Sequence, residues 1–170
     1  MVWTLPEALH VEGVKVDGYV REAVRLASGA KQRLLVVAPY LEPRGLGLLQ
    51  APLLDALHRG TEVALLTHDA QDLASLAATA LEPLRRESRT SAGTFLVYSA
   101  APTVGVLLHL KVVVADGAEA AVGSANVTGK GFGKNLEAGA LLGRDAAAEI
   151  ERVVRAVIQQ GLALPVFVHT

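Results

Sequence analysis

Residues 107–126, LLHLKVVVADGAEAAVGSAN, contain the pattern that decides the fold of this chain. Two largely apolar runs, 107–115 and 119–123, flank the dipeptide formed by Asp116 and Gly117. An Asp-Gly pair between two such runs is typical of a tight turn that joins antiparallel strands. The stretch therefore predicts a β-hairpin, and the segments on either side of it decide how the sheet continues.

The segments before the hairpin alternate between strands and helices. Continuous apolar runs predict buried strands over 33–41, 61–68 and 94–99. Apolar residues at helical spacing predict helices over 18–30, 46–59 and 69–88, with Asp69 as the N-cap of the last. Such an alternation is typical of parallel strands that are connected by helices.

The segments after the hairpin complete one domain. A strand is expected over 136–142, an amphipathic helix over 145–160 and a β-rich tail over 164–170. No internal repeat or linker divides the sequence. We therefore predict a single domain over residues 1–170, of the α/β class, with a mixed, largely parallel β-sheet flanked by helices on both faces.

Composition excludes several classes of function. The net charge of −1 provides no global field that would draw the chain to nucleic acid or to an anionic membrane, so polyanion binding requires a local cluster. The chain has no cysteine, which excludes disulfides, thiolate zinc sites and cysteine nucleophiles. The histidines and carboxylates show no metal-ligand spacing, so we expect no metal and no other cofactor.

The sequence also bears on membrane association. The uncharged stretch 90–110 has the length of a membrane span, but Gly93, Pro102 and Gly105 interrupt it, which favours two strands around a turn. The first residues show no signal-peptide pattern. We expect a cytoplasmic protein without stable membrane association.

Polar residues interrupt the apolar sequence in pairs. Each pair stands two residues apart, and in a strand this spacing puts both side chains on one face. The pairs are His109 and Lys111, Ser124 and Asn126, and Asn135 and Glu137. Burying an imidazole beside an ammonium costs free energy unless an anion compensates it.

These side chains suit phosphoryl transfer. A neutral imidazole is a nucleophile near neutral pH. An ammonium, a hydroxyl and amides can bind the non-bridging oxygens of a phosphate. A carboxylate such as Glu137 can hold the imidazole Nδ1–H and leave Nε2 free to attack.

The spacing of these residues resembles a family motif. His109-x-Lys111, four residues, Asp116, six residues, and Gly123-Ser124-x-Asn126 match the HxKxxxxD(x)6GSxN motif of the phospholipase D superfamily, and Asn135-x-Glu137 resembles the N-x-E that follows it in many members. The resemblance implies a phospholipase D-like fold and a metal-independent phosphodiesterase.

The resemblance also implies a role for each residue of the motif. His109 would form a phosphohistidine, and Glu137 would orient it. Lys111, Ser124, Asn126 and Asn135 would bind the substrate phosphate. Asp116 and Gly123 are assigned structural roles, with Asp116 at the turn after the strand.

The number of copies of the motif is unusual. Most family members carry two, whereas no histidine of this chain other than His109 has a lysine two residues on. In this respect the chain resembles the short, single-motif bacterial nucleases of the superfamily, which pair their motifs across a homodimer. We therefore expect a homodimeric nuclease acting on DNA or RNA. The alternatives are a phospholipase D or phosphatidyltransferase acting on lipid, and a non-catalytic nucleic-acid-binding module of the same fold.

Three further features can be interpreted either as functional or as purely structural. The loop 129–134, GKGFGK, does not match a Walker or dinucleotide pattern and is interpreted as a basic rim of the site or a plain connection. His68 and Asp69 stand where a strand end contributes to a pocket, but a strand end followed by an N-cap is favoured. Arg85, Arg86 and Arg89 are interpreted as a solvated helix end.

Overall fold

A computed structural model of the chain describes residues 1–6, 8–14, 18–101 and 107–170. The elements, in chain order, are β1 (Val2–Thr4), α1 (Gly18–Gly29), β2 (Arg33–Val37), α2 (Pro43–His58), β3 (Glu62–Thr67), α3 (Leu76–Ser88), β4 (Phe95–Ala100), β5 (Val112–Ala115), β6 (Glu119–Gly123), β7 (Glu137–Leu142), α4 (Arg144–Gln159) and β8 (Ala163–His169). The strands form one sheet in the order β1-β7-β6-β5-β2-β3-β4-β8.

The sheet confirms the predicted mixed α/β class. Parallel pairing joins β2 to β3 and β3 to β4, where α2 and α3 provide the crossovers. All other neighbours in the sheet pair antiparallel: β1 with β7, β7 with β6, β6 with β5, β5 with β2, and β4 with β8. The parallel share is therefore smaller than expected, because β5 leads into a hairpin and runs opposite to β2.

Helices cover both faces of the sheet. One face packs against α1, α2 and α3, and its core contains Leu26, Leu53 and Leu81. The other face packs against α4 through Ala147 and Val154. Each fully buried leucine of this kind contributes about 1.5–3 kcal/mol relative to exposure, so aliphatic side chains supply most of the apolar burial on both faces.

The predicted hairpin is present. Asp116 and Gly117 both have positive φ, at 55° and 59°, as a type I′ turn requires. The Ala118 N–H donates to the Ala115 carbonyl at 2.9 Å and closes the turn. The strand before it, however, begins at Val112 and not at residue 107, so His109 precedes the strand.

The start of α3 also differs from the prediction. Asp69 is not its N-cap, because its φ of 55° is incompatible with the extended backbone of that position. Ser75 caps the helix, and its hydroxyl accepts from the Ala78 N–H at 3.0 Å. Residues 69–74 form turns before the helix.

The edge strands β1 and β8 complete the sheet. Strand β1 was not predicted, since three residues give no periodicity, and it pairs with β7 through Val2 and Gly139. At the other edge, the register between β4 and β8 shifts between Val97 and Tyr98. Part of the uncharged stretch 90–110, including Pro102 and Gly105, lies outside the described residues. In the part of the chain that the structure describes, no helix has both the length and the apolarity to cross a bilayer.

Candidate active site

The polar pairs meet at one edge of the sheet. Val37, at the carboxyl end of β2, pairs with Val112 at the start of β5. The end of β6 and the start of β7 lie at the same edge, because Gly123 pairs with Gly139. Ligands of open α/β sheets bind beyond the carboxyl ends of parallel strands. The topology thus brings the predicted site residues to the place where such a fold holds its ligand.

Ser124, Asn135 and Glu137 form a hydrogen-bonded group at this edge. One oxygen of Glu137 accepts from the Ser124 hydroxyl, and the other accepts from the Asn135 amide at 3.1 Å. The backbone N–H of Ala138 donates to the Ser124 hydroxyl oxygen at 3.1 Å. Two predicted phosphate-binding side chains are therefore held in place by one carboxylate.

Lys111 lies at the centre of the edge and is only 6% exposed. Its ammonium donates to the His109 carbonyl at 2.9 Å, which fixes the backbone of the residue predicted to be the nucleophile. Burial lowers the pKa of Lys111, and the negative charge of Glu137 offsets part of that effect. A buried ammonium with one carbonyl partner retains donors for an anion.

His109 is exposed and stands beside an apolar cleft of about 230 Å³. Leu107 lines this cleft and is 67% exposed, and Val153 and Val157 of α4 form its opposite wall. Among the described residues, no hydrogen bond joins Glu137 to His109, and the two oxygens of Glu137 accept from Ser124 and Asn135. In this structure Glu137 organises Ser124 and Asn135 instead of orienting His109.

Asn126 carries a buried amide oxygen that has no hydrogen-bond partner among the described residues. A buried polar atom without a partner costs free energy unless a ligand satisfies the group. The two ends of an amide exchange by a flip of the side chain, so the group can present its N–H donors to a phosphate oxygen. Asn126 thus has hydrogen-bonding capacity that no described residue uses.

Asp116 supports the site indirectly, by fixing the hairpin of the motif. The Asp116 carboxylate accepts from the backbone N–H groups of Gln32 and Arg33 at 2.8 and 2.9 Å and from that of Lys31 at 3.1 Å. Burial raises the pKa of Asp116, but these donors and the charge of Arg33 outweigh it and hold the pKa below its ordinary value. The carboxylate ties the hairpin to the start of β2.

Tyr19 is a site residue that the sequence did not single out. Its hydroxyl lies 3.4 Å from the carbonyl oxygens of Lys111 and Ala121, beneath the polar edge. Burial, reinforced by the charge of Glu137, raises the pKa of Tyr19 far above its ordinary value, so the hydroxyl stays protonated. A Cβ added at Gly123 would lie 2.6 Å from the ring, which explains the glycine at that position of the motif.

Two contacts made by residues that follow β2 and β3 were also not predicted from the sequence. His68 Nε2 lies 2.9 Å from the Leu108 carbonyl oxygen, next to His109. Glu42 accepts from the Gly129 N–H at 3.3 Å, in the loop after Asn126. Both join residues that are distant in sequence, and only the pairing of the strands brings them together. Within the described ranges, no group of three His, Cys, Asp or Glu side chains is placed to hold a metal ion.

The described edge of the α/β sheet brings together an exposed imidazole, a buried ammonium, and a hydroxyl and an amide that a carboxylate holds. Groups of this kind suit a domain that binds phosphate esters. The family model described as "Cardiolipin synthase, PLD-like domain" matches residues 24–158. The chain therefore belongs to the phospholipase D superfamily, whose members are phosphodiesterases. No curated protein matches the chain.

Solved structures share the fold. A phospholipase D family member, Nuc from Salmonella typhimurium, is similar at 16% identity with a TM-score of 0.69, over 87% of this chain and 91% of that one. NucT from Helicobacter pylori is similar at 12% identity with a TM-score of 0.65, over 83% and 87%. Phosphatidylserine synthase from Haemophilus influenzae Rd KW20 is similar at 16% identity with a TM-score of 0.62, over 84% of this chain but 35% of that one.

Proposed function

We propose that the chain is a metal-independent nuclease that hydrolyses phosphodiesters of DNA or RNA in a site shared by two copies. The observation that carries the proposal is the nearly buried Lys111 ammonium, which lies behind the exposed His109. The amides of Asn126 and Asn135 provide further N–H donors at the same edge. Such an arrangement compensates the charge of a phosphate without a metal ion.

The proposed reaction has two displacements. His109 Nε2 attacks phosphorus while the bond to the leaving oxygen breaks, and a histidine on the opposite side gives that oxygen its proton. Water then attacks the phosphohistidine, gives a proton back to the second histidine, and the N–P bond breaks. Lys111 and Asn126 hold the non-bridging oxygens throughout, and Glu137 keeps Ser124 and Asn135 in position. Ser124 contributes to phosphate binding once its hydroxyl proton turns from Glu137 to the phosphate.

The second histidine is proposed to come from a second chain. The sequence contains one His-x-Lys pair, and the exposed position of His109 leaves it accessible to another copy. The homodimer and the cytoplasmic location are parts of the same proposal. The homodimer agrees with the arrangement of the short, single-motif bacterial nucleases that the chain resembles.

Positive charge beside the site supports a nucleic-acid substrate. Lys130 and Lys134 are exposed on the loop after Asn126. The side chain of Arg44 lies against Gly129, since a Cβ built there would be 2.6 Å from the Arg44 Cδ. Three cations thus line the loop, although the net charge of the chain is −1. A local cluster of this kind binds successive phosphates of a strand.

A lipid phosphodiester is the second candidate, because the cleft beside His109 is apolar. Leu107, Val153 and Val157 offer a surface for an acyl chain next to the nucleophile. The sequence did not suggest such an entrance, since its residues come from a loop and from α4. The structurally similar phosphatidylserine synthase is named for a lipid activity.

One assay decides between these candidates. The purified protein is incubated in EDTA with plasmid, single-stranded DNA, RNA and phosphatidylcholine vesicles, and cleavage of each is measured. We expect nucleic-acid cleavage that persists in EDTA and falls on the order of 10⁴-fold in His109→Ala. His58→Ala, which removes an exposed histidine at the end of α2, is the matched control.

The outcomes are distinct. Cleavage restricted to phosphatidylcholine supports the lipid candidate. A requirement for magnesium contradicts the mechanism, and so does a His109→Ala variant that keeps more than a few per cent of the activity. Acid-labile radiolabel retained on the protein from a phosphorus-labelled diester, and absent in His109→Ala, is the expected sign of the phosphohistidine.

A further inference from the structure

A second cleft opens at the same edge of the sheet. It has a volume of about 250 Å³, and we call it the Tyr40 cleft. It lies between the end of β2 and the start of α3, and its polar lining comes from Tyr40, Glu42, His68, Asp69 and Ser75. None of these residues belongs to the motif.

The Tyr40 cleft is attached to both halves of the proposed active site. On one side, His68 Nε2 contacts the Leu108 carbonyl, directly before His109. On the other side, the Glu42 N–H donates to the Val127 carbonyl at 3.0 Å, directly after Asn126. A group bound in the cleft therefore lies next to a phosphate held by the motif.

The chemistry of the Tyr40 cleft differs from that of a phosphate site. Its lining contains the carboxylates of Glu42 and Asp69 and no lysine or arginine, so it repels phosphate. Tyr40 is 54% exposed, whereas every other tyrosine, phenylalanine and tryptophan of the chain is buried or half-buried. An exposed ring offers a stacking surface, and carboxylates accept hydrogen bonds from the amino groups of bases.

We propose that the Tyr40 cleft binds an unpaired nucleobase adjacent to the scissile phosphate, which selects single-stranded nucleic acid. This inference rests on the proposed nuclease function. A base in a duplex is stacked on its neighbours and cannot stack on a side chain, so the ring of Tyr40 is available only to a base that is free of the helix.

The surrounding charges favour a base over the cationic headgroup of a lipid. An ammonium headgroup would also suit an aromatic ring and two carboxylates. The side chain of Arg44, however, lies against Gly129 beside Glu42, and Lys130 follows. These cations repel an ammonium group but attract the phosphates that flank a base.

The first test compares two chromogenic diesters with the same p-nitrophenol leaving group. One carries deoxycytidine as its other ester group, and the other carries a methyl group. Tyr40→Ala is expected to reduce the preference for the deoxycytidine ester, as a ratio of kcat/KM values, by about tenfold, the size of one base–aromatic stack. Tyr40→Phe keeps the ring and is expected to keep the preference. Leu73→Ala, at an exposed apolar residue outside the cleft, is the control.

The second test measures binding alone. In a His109→Ala background, the Kd for a short single-stranded oligonucleotide is compared with and without Tyr40→Ala, and also with the matching duplex. Weaker single-strand binding of about tenfold, with duplex binding unaltered, is expected. Because this measurement needs no turnover, it separates the cleft from the proposed nuclease activity.

Three results would overturn the inference. Tyr40→Ala reduces kcat/KM equally for both esters, or it leaves both the ester preference and single-strand binding unchanged. Alternatively, it selectively reduces turnover of phosphatidylcholine relative to phosphatidylglycerol, which identifies a headgroup site. If neither ester is hydrolysed while single-strand binding still depends on Tyr40, the nuclease proposal fails and the base site stands.

Discussion

The Asp116 carboxylate connects two segments that are more than eighty residues apart in sequence, since it accepts hydrogen bonds from Lys31, Gln32 and Arg33. These N–H groups lie just before β2 and at its first residue, Arg33, which pairs with Glu62 of β3. The role of Asp116 is therefore to hold the hairpin of the motif against the central strand. Hydrogen bonds to a charged group contribute more than neutral ones.

Replacing Asp116 by Asn keeps the shape and tolerates the positive φ but removes the charge. We expect the free energy of unfolding at pH 7 to fall by about 1–3 kcal/mol. The pKa of Asp116 is depressed in the folded state, so its stabilisation is present above the unfolded pKa of about 3.9 and is lost as the pH falls through the folded value. The deficit of the variant should therefore shrink when urea unfolding is measured at pH 3.

Asp55→Asn is the matched control for this experiment. Asp55 is exposed on α2, and its replacement should change the free energy of unfolding by less than about 0.5 kcal/mol. An Asp116→Asn variant as stable as the wild type at pH 7 would contradict the role proposed for the carboxylate.

For single residues, the spacing in the sequence predicted which polar side chains belong to the site. The pairs of polar residues two apart predicted that Lys111, Ser124 and Glu137 belong together, and the strands place them at one edge. Spacing did not predict the partners of Glu137, because side-chain direction depends on packing. Tyr19 could not be found from the sequence, since a tyrosine at helical spacing on α1 has the pattern of an ordinary core residue.

Among the elements, α1 approaches the motif most closely. The ring of Tyr19 packs against the backbone of Gly123 on β6 and of Gly139 on β7, and no side chain fits between them. This close approach allows the Tyr19 hydroxyl to reach the carbonyl of Lys111. The position of the helix and the geometry of the site are thus linked through two glycines.

Gly123→Ala should displace the ring of Tyr19. We expect a loss of about 1–3 kcal/mol in the free energy of unfolding, the usual cost of overpacking, together with a fall in kcat. Combining it with Tyr19→Leu, which removes the ring, should cost less than the sum of the single changes. Chemical denaturation of the four proteins of this cycle, with kcat for each, measures both effects.

Gly47→Ala provides the control within a helix. Gly47 lies in α2 with no atom within 4 Å of an added Cβ, so alanine should stabilise the protein by about 0.4–1 kcal/mol. Equal losses from Gly123→Ala and Gly47→Ala would show that close packing against Tyr19 is not the cause.

At the scale of elements, the sequence predicted the helices and central strands because their apolar periodicity is strong. The first and last residues of these elements were harder to predict. Strand β5 starts at Val112, since its length depends on the partners β2 and β6, while the apolar run continues back to Leu107. Helix α3 starts at the cap of Ser75, because turns occupy the segment after Asp69, a residue with equal capping preference.

For the whole molecule, the proposed dimer has a distinctive kinetic consequence. Wild-type chains mixed with an excess of His109→Ala chains should lose activity well beyond dilution, because a mixed dimer has one histidine and cannot complete both displacements. The measurement is activity against mixing ratio, with sedimentation giving the oligomeric state. Mixing with His58→Ala chains is the control. An active monomer, or a mixed dimer with half the wild-type rate, would contradict the shared site.

The order of the strands in the sheet was only partly predicted from the sequence. The alternation of strands and helices predicted the parallel core, and Asp116-Gly117 predicted the hairpin, but β5 joins the sheet beside β2 in the middle. That choice of neighbour depends on the burial of Val112 and Val114 against α4, which no local pattern reveals.

The shift of register between β4 and β8 constrains how two copies can meet. Pro165 of β8 carries no N–H, and a strand with an irregular register is a poor template for a further strand. Even a regular sheet that continued through two copies would hold their two sites too far apart. With about 4.8 Å between strands, joining β8 to β8 would separate the two β5 strands by roughly 40 Å, and joining β1 to β1 by more than about 30 Å. A shared phosphorus atom therefore requires the two copies to meet through the ends of the strands that carry His109 and Ser124, and not through a sheet that continues from one copy into the other.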